Sequence, residues 1–492
     1  MTKGTKLAEH IVFILSDQHN PTVTGFSGNR IIRTPNLDRL ADVGTVLSNC
    51  YCPSPLCVPS RAAMLSGLLP SKTGIFTNYQ SLPSDRVTFV HSLGIAGYET
   101  VLCGRMHFVG PDQSQGYEER LVGDISSPYI GGGFDLGFLR KADEQSPIAL
   151  QKAGAGNSSV LDYDRAVFER AQAFLRDRQR KRTDHAQQPL FLTVGLYGPH
   201  CPYVCPRDLF EYYYEQLPPT DNWTNFKRTV HPAVQKWYAN RGIGEITADE
   251  IRTVQAAYYG MIELMDRRIG DLLETIDRTL GLENTLVIYA SDHGDMAGDK
   301  GLFWKTNLYE GSARVPLVFS QPGLIRSGRR IEQLTSLLDL GPTLIDYAGA
   351  PELPETDGQD LLPLLKGEAQ ESSCRFVVCQ LCDLKGDSPS AMIRKGSWKL
   401  VHHHGYKAPQ LFNLAEDPGE INDLGGHPGS RSKCEELAAE LSRNWDGGKA
   451  LDYITRRSPH TELLKRWFRL TKPETYDQWI GRPENNYLVS GD

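Results

Sequence analysis

The sequence predicts an α/β protein built on a large mixed, mostly parallel sheet sandwiched by helices, with a smaller C-terminal antiparallel sheet that carries its own packed helix. Three observations lead there. Between residues 11 and 366, short apolar runs alternate with helical stretches, the pattern of strands joined by covering helices. The runs at 11–15, 191–196 and 285–290 are largely apolar without alternation, as suits strands buried on both faces. From about residue 372 the runs shorten and crowd together with turn residues between them, which suits a small sheet of hairpins.

Taken in order, residues 11–15 form a strand that ends at Ser16-Asp17-Gln18. Residues 57–66 read as a short helix, with Pro59 suited to its first position and Gly67 to the left-handed stop. A strand at 99–103 ends at Gly104-Arg105-Met106-His107, and one at 191–196 at Gly198-Pro199-His200. A strand at 285–290 ends at Ser291-Asp292-His293-Gly294-Asp295. Helices are expected at 161–176 and 250–280, the second with apolar residues at helical spacing over 256–276. The polar stretches 141–159 and 218–228 are expected to lie over the mouth of a site. Strands follow at 376–381, 390–394, 400–403 and 410–414, with Lys395-Gly396-Ser397 as a hairpin turn and a helix over 433–445. Residues 464–492 are rich in Trp, Tyr and Pro with little periodicity, and are expected to wrap over the body or reach a neighbouring subunit. The implied division is 1–370, 371–463 and 464–492.

Composition narrows the function. A chain of 492 residues with 40% hydrophobic residues and a net charge of −7 is large enough for more than one core and has no basic field for nucleic acid. The first apolar run is too short for a signal-peptide core or a membrane span, so a cytoplasmic protein with no membrane partner is expected. Ten cysteines include the close pairs Cys201/Cys205 and Cys379/Cys382. No second pair stands at zinc-ribbon spacing, so reduced, structural thiols are expected. His402, His403 and His404 are consecutive, and successive strand residues face opposite ways, so they too are read as structural.

In an open parallel sheet, ligands bind outside the carboxyl ends of the strands. The polar groups after four strands can therefore converge although they are far apart in sequence. Cys57 stands at a helix start, where free N–H groups favour an anion. Arg61, four residues on, projects from the same face. A cysteine at a helix start is commonly only a buried side chain. The spacing Cys57-Val58-Pro59-Ser60-Arg61, continued by Leu-Ser-Gly-Leu-Leu-Pro-Ser-Lys-Thr-Gly over 65–74, resembles the sulfatase signature, whose cysteine is oxidised after translation to formylglycine. The order of elements is also similar to the sulfatase branch of the alkaline phosphatase superfamily. A strand ends in Asp, the cysteine signature follows, and then come Gly104-Arg105-Met106-His107, the His200 loop and Asp292-His293-Gly294. Lys305 and Glu310-Gly311-Ser312-Ala313-Arg314-Val315-Pro316-Leu317 complete it. Within the family, residues 107–113 and 116–121 look most like choline sulfatases.

The resemblance implies hydrolysis of a sulfate monoester by a formylglycine hydrate and one divalent metal ion. One hydroxyl of the hydrate attacks sulfur, and the other later loses its proton and expels sulfate. By resemblance the metal ligands are Asp17, Gln18, Asp292 and His293, with the Cys57-derived oxygen. Gln18 replaces a second aspartate common in the family, and His293 replaces an asparagine, which shifts preference towards softer metals. Calcium is the family default, with manganese or magnesium as alternatives. Arg61, Arg105 and Lys305 form the cationic shell, and Arg105 stands where lysine is more common. His107 is expected to position or deprotonate the hydrate, and His200 to be the acid for the leaving alcohol. The implied partners are a small sulfated substrate, a formylglycine-generating maturation enzyme and further copies of the chain in a homo-oligomer.

Substrate choice is left open. Tyr129, Phe134, Tyr203, Phe303 and Trp304 are candidate walls of an aromatic cage for a quaternary ammonium group, with simple packing as the competing reading. The segment 126–133 has three consecutive glycines and no tryptophan, a departure from the choline sulfatase pattern, so a sulfated sugar or aryl sulfate fits equally. A phosphonate monoester or phosphodiester hydrolase shares these signals. A non-catalytic binding protein would have lost some of the slots, and here all are filled.

Overall fold

The computed structural model describes residues 9–180, 188–220, 223–243, 246–382 and 386–489. The lysine-bearing start, Asp221 and Asn222 of the second polar stretch, and the last three residues of the C-terminal extension lie outside the described residues.

Strand β1 (His10–Asp17) lies inside an eight-stranded sheet with β2 (Thr45–Leu47), β3 (Glu99–Gly104), β4 (Glu119–Val122), β5 (Leu190–Pro199), β6 (Thr285–Ser291), β7 (Leu317–Ser320) and β8 (Arg329–Ile331). The order is β8-β2-β7-β6-β1-β5-β3-β4. The five strands from β6 to β4 are parallel. β7 runs antiparallel to both its neighbours, and β8 is parallel to β2. The sheet is thus mixed and mostly parallel, as the sequence predicts.

Every residue of β1 is buried, and its side chains alternate between two cores. Val12 and Ile14 pack with Val167 and Ala171 of α2 (Ser159–Arg180) and with Ile262 and Ile269 of α3 (Ala248–Thr279). Ile11, Phe13 and Leu15 pack on the opposite face with Met64 and Leu65 of α1 (Cys57–Ser66). Helices therefore cover both faces. α3 starts with a capping box: Glu250 N–H donates to Thr247 Oγ1 (3.1 Å), and Thr247 N–H donates to Glu250 Oε2 (2.8 Å).

One local expectation is corrected at α1. The helix begins at Cys57 itself, so Pro59 is its third residue and not its first. The N–H groups throughout the first turn lack intrahelical acceptors, so proline is tolerated there as well. Gly67 closes the helix at φ 73°, its N–H on the Ala63 carbonyl.

The smaller sheet is antiparallel in sequential order: β9 (Phe376–Leu381), β10 (Ser390–Lys395), β11 (Trp398–His403) and β12 (Gln410–Asn413). Gly396, at φ 59°, lies in the two-residue turn between Lys395 and Trp398. Helix α4 (Arg431–Leu441) packs Leu437 and Leu441 on Ile393, Leu400 and Leu411. Glu310 ties this sheet to Tyr51, which lies in a separate three-stranded sheet. Its carboxylate accepts from Lys399 Nζ (2.9 Å) and Tyr51 Oη (2.8 Å).

The C-terminal extension is more regular than its sequence suggests. Helix α5 (Gly447–Thr471) runs without interruption past residue 464. Only Gly447, Ala450, Ile454 and Thr461 of it are buried, which is why no apolar period marks it. Beyond it the chain wraps over its own body. Trp479 meets Tyr163 edge-on, and residues Tyr487–Leu488 pair with Asn157 and Gly156. No described helix is long and apolar enough to cross a membrane. None of the ten cysteines forms a disulfide. His403 turns inward to Ser390 and Gln410 while His402 faces Trp445.

Candidate active site

Four neighbouring parallel strands, β6, β1, β5 and β3, deliver their carboxyl-end residues to one place. β1 ends in Asp17, β6 leads into Asp292 and His293, β3 into Arg105 and His107, and β5 into His200. Helix α1 brings Cys57 and Arg61 against them. Asp17, Cys57, Asp292 and His293 offer ligand atoms that all lie within 4.8 Å of one another, and all four are buried. Cys57 Sγ is 3.1 Å from His293 Nε2 and 3.6 Å from Asp17 Oδ1.

The orientation of these donors suits a cation. Arg61 Nε donates to Asp292 Oδ2 (2.7 Å), and Arg105 Nε to Asp17 Oδ2 (2.7 Å). That leaves each Oδ1 on the side of His293 Nε2, at 3.6 Å for Asp17 and 3.7 Å for Asp292. His293 Nδ1 is 3.0 Å from the Gly294 carbonyl, so it carries hydrogen and Nε2 turns its lone pair to the centre. Burial would lower the His293 pKa, but Asp292 and the Cys57 sulfur raise it to about 8. A metal would displace that proton. Burial pushes the Asp17 carboxyl up, yet Arg105 and Arg61 hold it well below the usual range. The residues present therefore fit one divalent ion.

Gln18 is engaged from two sides. Its Oε1 accepts from Lys305 Nζ (2.5 Å) and its Nε2 donates to Asp295 Oδ2 (2.6 Å). The lysine ammonium only donates, so the amide oxygen faces Lys305 and the amide NH2 faces Asp295. Asp295 also accepts from Tyr203 Oη (2.7 Å).

The three cations expected to form the shell are largely committed to protein acceptors. Besides Asp292, Arg61 donates to Asp17 Oδ2 (3.2 Å) and the Arg105 carbonyl (3.0 Å). Arg105 also donates to Asp124 Oδ1 (3.0 Å), Ser126 Oγ (2.7 Å) and His107 Nδ1 (2.7 Å). It also lies over the Tyr197 ring. The guanidiniums thus brace the carboxylates. His107, whose N–H is held by Asp124 Oδ2 (2.7 Å), accepts at Nδ1, so its other nitrogen carries the hydrogen. Burial and then Arg105 lower its pKa to about 3, so it is neutral and donates from Nε2.

Lys305 and His200 form the other wall. Lys305 Nζ contacts His200 Nε2, and His200 Nδ1 lies 2.7 Å from the Cys201 carbonyl. Nδ1–H therefore donates to that carbonyl, and Nε2 accepts from the ammonium. Burial, then Lys305, hold the His200 pKa well below its usual value. Asp164 fixes the approach to His200 by accepting from the Tyr197 and Gly198 N–H groups (2.8 and 2.9 Å). Backbone strain concentrates here: Gln18, His107, Trp304 and Thr306 all have positive φ, as functional sites often do.

All the sequence-predicted site residues fall in this one region. Sequence reasoning missed Asp124, Ser126, Asp164 and Asp295; only Asp295 carried a signal, as the last residue of Asp292-His293-Gly294-Asp295. The candidate cage aromatics are dispersed in packing roles. Tyr129 meets Trp467 and Phe468, Phe134 meets Tyr197, Tyr203 meets Tyr258, and Phe303 and Trp304 meet each other.

Comparison with known proteins shows the family. The Sulfatase family model matches residues 9–350, and the model for the N-sulphoglucosamine sulphohydrolase C-terminal region matches residues 298–446. The chain is 33% identical to choline-sulfatase of Rhizobium meliloti (strain 1021), over 96% of this chain and 93% of that one. It is 29% identical to arylsulfatase K of Danio rerio, over 84% and 80%. Among solved structures it is similar to BT4656 in complex with its substrate D-glucosamine-2-N,6-O-disulfate, with TM-score 0.71, 22% identity and coverage of 89% and 97%. It is also similar to phosphonate monoester hydrolase of Agrobacterium radiobacter, with TM-score 0.72, 22% identity and coverage of 88% and 95%. With the family model spanning most of its length, the chain belongs to the sulfatase family, the sulfuric ester hydrolases of alkaline phosphatase-like fold.

Proposed function

We propose that the chain hydrolyses a small sulfate monoester to an alcohol and inorganic sulfate, with Cys57 matured to formylglycine and hydrated as the nucleophile. The convergence of Asp17, Asp292 and His293 on Cys57 within 4.8 Å carries this reading. One divalent ion held by these side chains and the residue-57 oxygen would supply Lewis-acid polarisation of the sulfuryl group. Calcium is the family default, and the imidazole ligand makes manganese or magnesium real alternatives. Gln18 joins the ligands only through the lone pair that Lys305 leaves free.

The remaining roles follow from geometry. Arg105 and Arg61 hold Asp17 ionised, Arg61 aligns Asp292, and together they set the charge of the pocket. His107 donates from Nε2, which suits positioning of the nucleophilic oxygen better than deprotonating it. The proton for the leaving alcohol is carried by the Lys305 ammonium, which His200 Nε2 orients by accepting one of its N–H bonds while the others stay available to the departing oxygen. The names of the relatives point to alkyl or aryl sulfates. Maturation would require a formylglycine-generating enzyme, and a cytoplasmic location is the one the sequence favours. The exposed apolar side chains Leu470, Tyr476 and Ile480, each at least 71% exposed, support a homo-oligomer formed through the C-terminal extension.

The test is turnover of 4-nitrophenyl sulfate by chain co-expressed with a maturation enzyme, beside a phosphodiester and a phosphonate monoester. Sulfate release with the highest kcat/KM supports the proposal. Faster phosphonate or phosphodiester cleavage would favour the alternative hydrolase.

A further inference from the structure

Asp143 lies beside the leaving-group pair but takes no part in the machinery described above. Three contacts place its loop. The Asp143 carbonyl accepts from Cys201 Sγ (3.6 Å), next to His200. Gln145 Oε1 accepts from Thr306 Oγ1 (3.0 Å) and Arg241 Nε (2.8 Å), next to Lys305. The segment 143–145 therefore bridges the two stretches of chain that carry His200 and Lys305. The Asp143 carboxyl is near enough for the Lys305 ammonium to act on it, and for it to act on Tyr197 and Cys201. Tyr197 in turn packs edge-on against His200, 4.9 Å between ring centroids.

What sets Asp143 apart is that, among the described residues, only its own backbone N–H donates to its carboxylate. Asp17, Asp124 and Asp292 are each paired with arginine, and Asp295 is held by Tyr203 and Gln18. Among the described residues, no other residue donates a hydrogen bond to the Asp143 carboxylate or forms an ion pair with it. The carboxyl is nonetheless enclosed by protein, and burial pushes its pKa up to about 6. The residue keeps some exposed surface, as one at the rim of an entrance would. A largely enclosed charge with no ion-pair contact is costly, and its field acts on whatever arrives.

We propose that Asp143 sets the charge preference of the leaving-alcohol side: its carboxylate admits cationic and hydrogen-bond-donating alcohols and repels esters whose alcohol carries an anion. The sulfuryl group is held at the metal-ligand side, so Asp143 reads the alcohol and not the sulfate. This specificity role rests on the sulfatase reading.

The test uses phenyl sulfates bearing a meta-aminomethyl, meta-hydroxymethyl or meta-carboxymethyl group, which differ mainly in side-group charge. The mature full-length enzyme should give kcat/KM falling in that order. The field of one charge about 10 Å away, at an effective dielectric constant of about 20, is worth roughly tenfold per step. Asp143→Asn keeps the shape, removes the charge and should shrink the whole span to below about threefold. A wild-type span below about threefold overturns the proposal, and so does a larger span that survives in Asp143→Asn. If the variant does not fold, the wild-type order decides alone. If none of the three esters is hydrolysed, the sulfatase reading fails instead. Calorimetric affinities of the same three esters, required to fall in the same order, then decide the role of Asp143.

Discussion

Replacing His200 by alanine tests how the leaving alcohol receives its proton. The ring is neutral, fixed at Nδ1 by the Cys201 carbonyl, and meets the Lys305 ammonium at Nε2. Without the ring, Lys305 keeps among the described residues only Gln18 as a directing acceptor, and its ammonium is no longer aimed at the departing oxygen. Positioned general acids contribute roughly 10²–10⁴-fold, or about 3–5 kcal/mol of barrier. An alkyl sulfate, whose alkoxide cannot leave unprotonated, should lose that full factor. A nitrophenyl sulfate, whose phenolate leaves readily, should lose about tenfold or less. The assay is kcat/KM for wild type and His200→Ala over a series of aryl sulfates and one alkyl sulfate, plotted against leaving-group pKa, with thermal melting to check folding. The variant line should be steeper and diverge from wild type as the leaving group worsens. Parallel lines would refute the reasoning and make His200 a binding or structural residue.

Three other outcomes are expected. Metal analysis should give one divalent ion per chain, with Asp292→Asn lowering occupancy; two zinc ions per chain would contradict the one four-donor cluster found among the described residues. Glu310→Ala leaves the fully buried Lys399 with Glu420 as its one carboxylate partner and should cost about 3–5 kcal/mol in urea unfolding, without changing the leaving-group slope. His10 and His403 have pKa values lowered by burial from 6.5 to about 4 and about 3. The unfolded chain takes up their protons first, so stability present above pH 6.5 should fall as the pH drops towards 4, by about 3 kcal/mol per histidine. His403→Gln should flatten the curve by one histidine's share, and an unchanged slope would show that His403 is protonated in the fold.

Much of this site is legible in the sequence because the sheet itself organises it. Buried strands leave runs such as residues 11–15 and 285–290, and the first polar residues after them must lie at the sheet edge. Asp17, Arg105, His200 and Asp292 could therefore be gathered before their distances were known. Cys57 was legible from a local motif. What escaped depends on contacts between loops. Asp124 holds both Arg105 and the His107 backbone, yet it follows a strand of ordinary composition with nothing to mark it. The sequence shows Arg61 and Arg105 as cations free to clasp an anion; only the fold shows most of their donors already on Asp17, Asp292 and Asp124. Helix α5 was missed because it buries few apolar residues, and apolar periodicity is the signal by which helices are read.

The central claim is that Cys57 is the matured nucleophile of this cluster, and the most direct measurement is the mass of the peptide containing it. From chain co-expressed with a maturation enzyme, that peptide should appear lighter than the cysteine form, with sulfur and two hydrogens replaced by one oxygen, in proportion to specific activity. A fully active preparation in which the peptide carries only unmodified cysteine would contradict the account.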